Sequence, residues 1–283
     1  MVNILRAIDS IVSNDIPDVV NFYRNQNKIN AVGDALELFI KDIFANTLRE
    51  ANELKKQEVY EQVFSYAGNA NNPPDFMLKS GDAIEVKKLQ SETAQIALNS
   101  SYPSAKLYSS SPMITRTCRD CEKWDEKDLL YAVGCVNKQK LSSLWLVYGD
   151  CYAASHEIYQ NMKVRIIAGI NQTAGVEFSP TKELGRVNRV DPLGITSLRM
   201  RGMWHIEHPQ KVYQYLNLPT KKTNQNFRLL TLMRESKYLS CPLADREKLE
   251  SIDNSNFQIQ KVKIKSPDNP VKTIAAMLIQ YQT

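Results

Sequence analysis

A mixed α/β fold, with helices packed on the faces of a central sheet, is what this sequence predicts, and three observations predict it. Residues 34–51 repeat apolar side chains at helical spacing. Short apolar runs of strand length stand at 75–89, 141–150 and 163–170. Helical pattern falls between such runs, and strand alternating with helix favours a sheet covered by helices.

The helix comes first. From Asp34 to about Ala51, Leu36, Phe39, Ile40, Ile43, Phe44 and Leu48 recur every three or four residues, which puts them on one core-facing side. Between Asp75 and Leu89 the period changes. Phe76–Lys79 and Ala83–Leu89 read as two strands joined by Ser80-Gly81-Asp82, a composition suited to a tight turn. Side chains alternate along a strand, so Ile84 and Val86 face one side while Glu85 and Lys87 face the other. Residues 141–150 (LSSLWLVYGD) and 163–170 (KVRIIAGI) read as further strands, with a helix at about Ser155–Asn161 between them. Thr181–Gln210 is polar, arginine-rich and broken by Gly and Pro, which predicts long loops of the kind that carry function.

Composition narrows the class. The chain has 283 residues, 43% hydrophobic and 24% charged, enough to bury a sizeable core. No stretch reaches the roughly 18 apolar residues of a membrane span, and the acid-bearing first residues do not resemble a secretory signal. A cytoplasmic protein without membrane contact is the expectation. Five dispersed cysteines read as reduced thiols. The net charge of +5 permits a nucleic-acid partner. With no repeat and no linker composition, the chain is expected to form one unit.

Asp75, Glu85 and Lys87 are the residues to which chemistry can be assigned. Two carboxylates at the end of a hairpin can share a hard divalent cation such as Mg2+, which takes oxygen ligands, keeps several waters and is completed by substrate phosphate. Such an ion lowers the pKa of a bound water beside a phosphodiester. Lys87, on the same face as Glu85, can orient or deprotonate that water and stabilise charge developing on phosphorus. The bland alternative is a turn aspartate after Pro73-Pro74 and the solvated face of an edge strand.

Pro74-Asp75, nine residues, then Glu85-Val86-Lys87 matches the PD-(D/E)XK nuclease signature. The surroundings resemble the NgoPII-type restriction endonucleases through GDALELFIKDIFA (33–45), VFSYAGNANNPPDFMLKSGDAIEVKK (63–88), ALNSSYPSAKLY (97–108), CRDCEKWDEKDLLYAVG (118–134) and GRVNRVDPLGITSLRMRGMW (185–204). The resemblance implies a PD-(D/E)XK restriction-endonuclease-like core, with 1–283 as a single nuclease domain, a catalytic core at about 30–170 and a DNA-recognition region at about 181–210. It also implies a Mg2+-dependent bacterial homodimer that cuts both strands of double-stranded DNA at a short palindrome, GGCC, leaving 5′-phosphate and 3′-hydroxyl ends. A companion DNA methyltransferase protecting host DNA is part of the same expectation. Nucleases of this fold often add an acid from a neighbouring helix, which nominates Glu37. Asp34-x-x-Glu37 is equally an acidic capping box, in which Glu37 reaches back to a free N–H.

Guanine is most often read by arginine, bidentate to O6 and N7. Arg199 and Arg201, one residue apart in alternation, are the candidate base readers. Arg186, Arg189 and Asn188 lie in the same block, the two arginines as candidate phosphate contacts, and Tyr102, Lys106 and Lys88 are candidate backbone contacts. The competing reading pairs these arginines with nearby acids such as Glu183 and Asp191.

Two weaker signals need weighing. Cys118-x-x-Cys121 with Cys135 and Cys151 offers four zinc ligands, but without a second C-x-x-C the cysteines read as structural thiols. His205-Ile-Glu-His208 has the wrong spacing for a helical metal pair and reads as surface. Two alternatives to a restriction enzyme remain: a repair or recombination nuclease of the same fold, and a zinc-stabilised DNA-binding regulator without catalysis.

Overall fold

The computed structural model describes residues 2–14, 18–25, 32–69, 72–137, 139–173, 175–218 and 227–283. Four helices lead: α1 (Ile4–Val12), α2 (Val19–Asn25), α3 (Val32–Ala45) and α4 (Glu53–Val63). Strands β1 (Phe64–Asn69), β2 (Asn72–Leu78), β3 (Ala83–Leu89), β4 (Ile96–Ala97) and β5 (Lys106–Tyr108) follow. Next come α5 (Arg116–Asp120), the long β6 (Glu126–Asn137) and β7 (Lys140–Tyr148), then α6 (Gly149–Tyr152) and α7 (His156–Asn171). Short strands β8 (Glu177–Ser179), β9 (Gly185–Asn188), β10 (Leu198–Met200) and β11 (His205–Ile206) precede α8 (Pro209–Val212). The chain ends with β12 (Arg228–Arg234), α9 (Glu235–Ser240), α10 (Leu243–Glu250), β13 (Phe257–Lys265) and β14 (Thr273–Gln282).

Among the described residues, nine strands build the central sheet in the order β1-β2-β3-β6-β7-β12-β14-β13, with β5 added against β6. The sheet is mixed: β3 runs parallel to β6 and β12 parallel to β7, while the remaining neighbours are antiparallel. This is the helix-flanked mixed sheet that the sequence predicts, and it is consistent with a restriction-endonuclease-like core.

Strand alternation divides the core into two layers. Ile84, Leu130, Ala132, Leu144 and Leu146 point to one side, where they meet α1 and α3 through Ile8, Leu36, Phe39 and Ile43. Ala83, Leu129, Tyr131, Val133, Trp145 and Val147 point to the other, against Cys118, Tyr152 and Tyr213. Gly134 lets α3 come close to the first layer, since a Cβ there would lie 2.6 Å from Leu36 Cδ2. Helix α3 stops at Ala45, short of the predicted Ala51, because Asn46 turns left-handed at φ 54°. The Thr47 N–H then donates to the Asp42 carbonyl at 2.9 Å, a Schellman-type closure of the last turn. At its other end α3 begins at Val32, before Asp34, which therefore does not occupy an N-cap position; the Asp34 side chain lies outside the described residues.

Residues 163–170 are not a strand but the second half of α7. The position beside β7 that such a strand would take is filled by β12, which pairs from Arg228 to Leu232. Without a sheet partner the run continues the helix begun at His156, and its apolar Val164 and Ile166 are exposed. The predicted loops at 181–210 also hold more order than expected. β8, β9 and β10 form a small antiparallel sheet, and β11 pairs with β4. Those strands are too short to show a period in sequence.

Candidate active site

The hairpin β2–β3 brings the acidic residues together through its register. Phe76 pairs with Ile84 and Met77 with Ala83. One step further along that register, Asp75 stands opposite Glu85, where the backbones part because Pro73 and Pro74 have no N–H to continue the ladder. The Asp75 side chain takes over: its Oδ2 accepts from the Val86 N–H at 2.6 Å. Lys87 follows two residues after Glu85, so both side chains emerge on the same face, and Lys87 Nζ donates to Glu85 Oε1 at 2.6 Å. That face is the layer of Met77, Ala83 and Tyr131, away from α3.

Electrostatics mark the site as strained. Burial, then the neighbouring Glu85 carboxylate, pushes the Asp75 carboxyl up to about 7, with Glu37 adding to the effect and the Val86 N–H and Lys87 opposing it. Burial disfavours the Lys87 ammonium, but Glu85 and Asp75 more than offset it and raise its pKa above the ordinary lysine value. Glu85 Oε2 is buried and has no hydrogen-bond partner among the described residues. A buried carboxylate oxygen left this way is costly, and a cation is the natural partner for it. No third His, Cys, Asp or Glu joins Asp75 and Glu85 as a ligand set among the described residues. Two carboxylates leave the other positions of an octahedral ion to water and phosphate, which is how Mg2+ is ordinarily held.

Asp75, Glu85 and Lys87 open into a cleft of about 1650 Å³ that Arg199, Arg201 and Trp204 also line. Tyr131, opposite Glu85 on β6, ties a wall of this cleft in place. Its hydroxyl accepts from the Ser104 N–H at 2.8 Å and donates to the Ser104 carbonyl at 3.2 Å.

The sequence that builds this hairpin and its flanking elements matches a known group of proteins. The family model described as NgoPII restriction endonuclease matches residues 2–265. The chain is also 44% identical over 280 residues to the Type II restriction enzyme NgoPII of Neisseria gonorrhoeae, covering 99% of each chain. The chain belongs to the NgoPII restriction endonuclease family. As a member it is a type II site-specific endonuclease, an enzyme whose substrate is DNA. No solved structure matches the chain.

Within this NgoPII-family fold the other nominated residues fall in three places. Glu37, on the α3 edge, is close enough to influence Asp75, but its carboxylate is engaged by Lys41 Nζ at 2.7 Å. Tyr102 and Lys106 line the cleft. Tyr102 stacks on Tyr159 and hydrogen-bonds His156 Nδ1 at 2.6 Å, while Lys106 pairs with Glu126 at 2.5 Å. Lys88, by strand alternation, belongs with Ile84 and Val86 on the opposite face from Glu85 and Lys87. Arg186 and Asn188 lie on β9, where they bond Ser197 and Ser179 at 2.6 and 3.1 Å, and Arg189 pairs with Glu177 at 3.3 Å. Arg199 and Arg201 both reach Glu183.

The cysteines give no zinc site. No group of three His, Cys, Asp or Glu gathers as a metal-ligand set among the described residues, and Cys118, Cys135 and Cys151 belong to α5, β6 and α6. Burial pushes the Cys118 thiol up to about 12, the behaviour of a buried structural thiol. His208 is fully buried and not a surface residue. It caps α8, its Nδ1 accepting from the Gln210 N–H at 3.0 Å, and burial lowers its pKa to about 4, leaving the ring neutral. Tyr131 and His156 line the cleft and Tyr159 stacks on Tyr102 behind it, none of them marked by a motif, whereas Glu183 is the acid the sequence already offers to Arg199 and Arg201, and the structure makes that pairing.

Proposed function

We propose that the cleft hydrolyses phosphodiester bonds of double-stranded DNA with Mg2+ held by Asp75 and Glu85. The observation that carries this reading is the buried, unpartnered Glu85 Oε2 beside an Asp75 carboxyl pushed up to about 7, a negative pocket one cation short of balance. Mg2+, when bound, supplies a polarised phosphate and a water of lowered pKa. Around it the protein does the positioning. Asp75 is fixed by the Val86 N–H, and Glu85 is oriented by Lys87. Lys87 places positive charge where the phosphate gains negative charge during attack. Glu37 orients water from the α3 side. Arg186, Arg189, Asn188, Tyr102 and Lys106 contact the DNA backbone, and Arg199 and Arg201 read bases, while Lys88, on the opposite face of β3, takes no part in the cleft.

The resemblance extends the proposal to a palindromic target, GGCC, cut in both strands by a homodimer in the bacterial cytoplasm. A companion methyltransferase protects host DNA. On this reading residues 1–283 form one nuclease domain, with the chemistry in about 30–170 and recognition in about 181–210. Digestion of DNA of known sequence with Mg2+, with the ends mapped, tests it. Discrete fragments ending within GGCC support it; nicking or smearing supports a repair-type nuclease. Thermal shift in Mg2+ gives an independent readout: wild type should gain stability and Glu85→Ala should not.

A further inference from the structure

Arg199 and Arg201 do not stand alone at the cleft wall. Both converge on Glu183, which precedes β9 in the chain, while the arginines come from β10 and the residue following it. Arg201 Nε donates to Glu183 Oε1 and Oε2 at 3.1 and 3.0 Å, and Arg199 Nη2 lies 3.6 Å from Oε1. The Ser100 hydroxyl donates to the same Oε1 at 2.9 Å. The Glu183 side chain is only 7% exposed, against 60% for Arg199 and 63% for Arg201, so the carboxylate lies beneath and the guanidiniums above. Burial pushes the Glu183 carboxyl up, but Ser100 and the two arginines together hold it below its ordinary value, and it is an anion at neutral pH.

Burying a carboxylate under two exposed cations is a poor way to gain stability, because its desolvation offsets much of the attraction. It is a good way to fix geometry. A free arginine samples many rotamers and loses that freedom when it binds. Anchored through Nε, with Nη2 also donating to the Ser100 hydroxyl at 3.5 Å, Arg201 has the plane of its guanidinium set, and the other N–H groups of Nη1 and Nη2 remain for a bidentate acceptor such as guanine O6 and N7. Two arginines on one carboxylate also leave one positive charge uncompensated toward the cleft.

We propose that Glu183 is a specificity-determining positioning residue, whose buried carboxylate sets Arg199 and Arg201 in the arrangement that reads base edges. The inference rests on the reading of the cleft as a duplex-DNA site. Glu183 acts through the arginines and not on the DNA. Ser100 is part of the device, since its segment is held to the recognition block by hydrogen bonds between Leu98 N–H and the Trp204 carbonyl and between Trp204 N–H and the Asn99 carbonyl, both 2.8 Å.

The test compares Glu183→Ala, Glu183→Gln and Ser100→Ala with wild type on one duplex containing the site and one altered by a single base pair. For Glu183→Ala the cognate-to-altered ratio of kcat/KM should fall by at least about tenfold, a loss carried in KM and Kd. The single-turnover rate at saturating cognate DNA should stay within about threefold of wild type. Glu183→Gln keeps an acceptor oxygen for Arg201 Nε and should recover part of the ratio; Ser100→Ala should lose a smaller part. If Glu183→Ala does not fold, the other two variants carry the test. Unchanged discrimination in the folded variants, or a loss confined to kcat, overturns the inference while wild type still cuts at discrete sites. A wild type that cuts at no fixed sequence overturns the functional reading and this inference together.

Discussion

Replacing Asp75 with Asn should make the metal-free protein more stable at pH 8, and by less than half as much at pH 5. The Asp75 carboxyl is raised from 3.8 to about 7 by burial and by Glu85. Between those values the folded protein keeps a proton on Asp75 that the unfolded chain has released. The stabilisation from that proton is complete below about pH 4 and is lost as pH rises through 7. At ~1.4 kcal/mol per pKa unit, the full shift amounts to about 4 kcal/mol, an upper limit because Lys87 and Glu85 readjust. Asparagine retains an oxygen to accept from the Val86 N–H, now made at 2.6 Å, and turns an NH2 group toward Glu85 in place of a like charge. A gain of about 1–3 kcal/mol at pH 8 is expected, or about 2–4 °C in melting temperature for each kcal/mol. Thermal unfolding in EDTA at both pH values measures it. A variant less stable than wild type at pH 8, or a gain of equal size at pH 5, would refute the argument that burial and the neighbouring Glu85 together make the ionised Asp75 costly at this hairpin.

Other outcomes follow from the same contacts. Lys87→Ala should abolish cleavage with the fold intact, checked by circular dichroism beside a plasmid digest, since it removes the only cation bonded to Glu85 among the described residues. Gly134→Ala should cost about 1–3 kcal/mol in denaturant unfolding, because the new Cβ would stand 2.6 Å from Leu36 Cδ2 and 3.1 Å from Leu141 Cδ1, so buried side chains must shift to admit it. Lys237 bridges Asp82 at 2.6 Å and Asp128 at 2.7 Å, and Asp82 is buried. Its replacement by Met leaves the buried Asp82 carboxylate without a cation, held only by the Tyr148 hydroxyl at 2.5 Å, and should destabilise by about 3 kcal/mol, seen as a lower urea midpoint. Arg201→Ala should weaken discrimination between cognate and altered duplexes by about 1–3 kcal/mol in binding titrations; equal loss on both would assign Arg201 to the backbone.

The parts of this protein governed by local pattern were legible in advance. Helix α3 follows from the spacing of Leu36, Phe39, Ile40 and Ile43, and the hairpin from alternation around Ser80-Gly81-Asp82, so Asp75, Glu85 and Lys87 could be named together from spacing. The 163–170 run was misread for an equally physical reason. Val164, Arg165 and Ile166 suit a strand locally, and only β12, pairing with β7 across 85 residues of sequence (Arg228 with Ser143), removes the place where that strand would pair. Long-range pairing also decided what surrounds the chemistry. The nearness of Glu183 to Arg199 and Arg201 in the chain suggests their pairing, but nothing in the order of residues buries that carboxylate beneath them, brings Ser104 onto Tyr131, or sets Lys237 between Asp82 and Asp128. Periodicity records which face of an element is apolar, because that is settled within a few residues; which two faces meet depends on how every element shares one core, and that was decided by the folded chain.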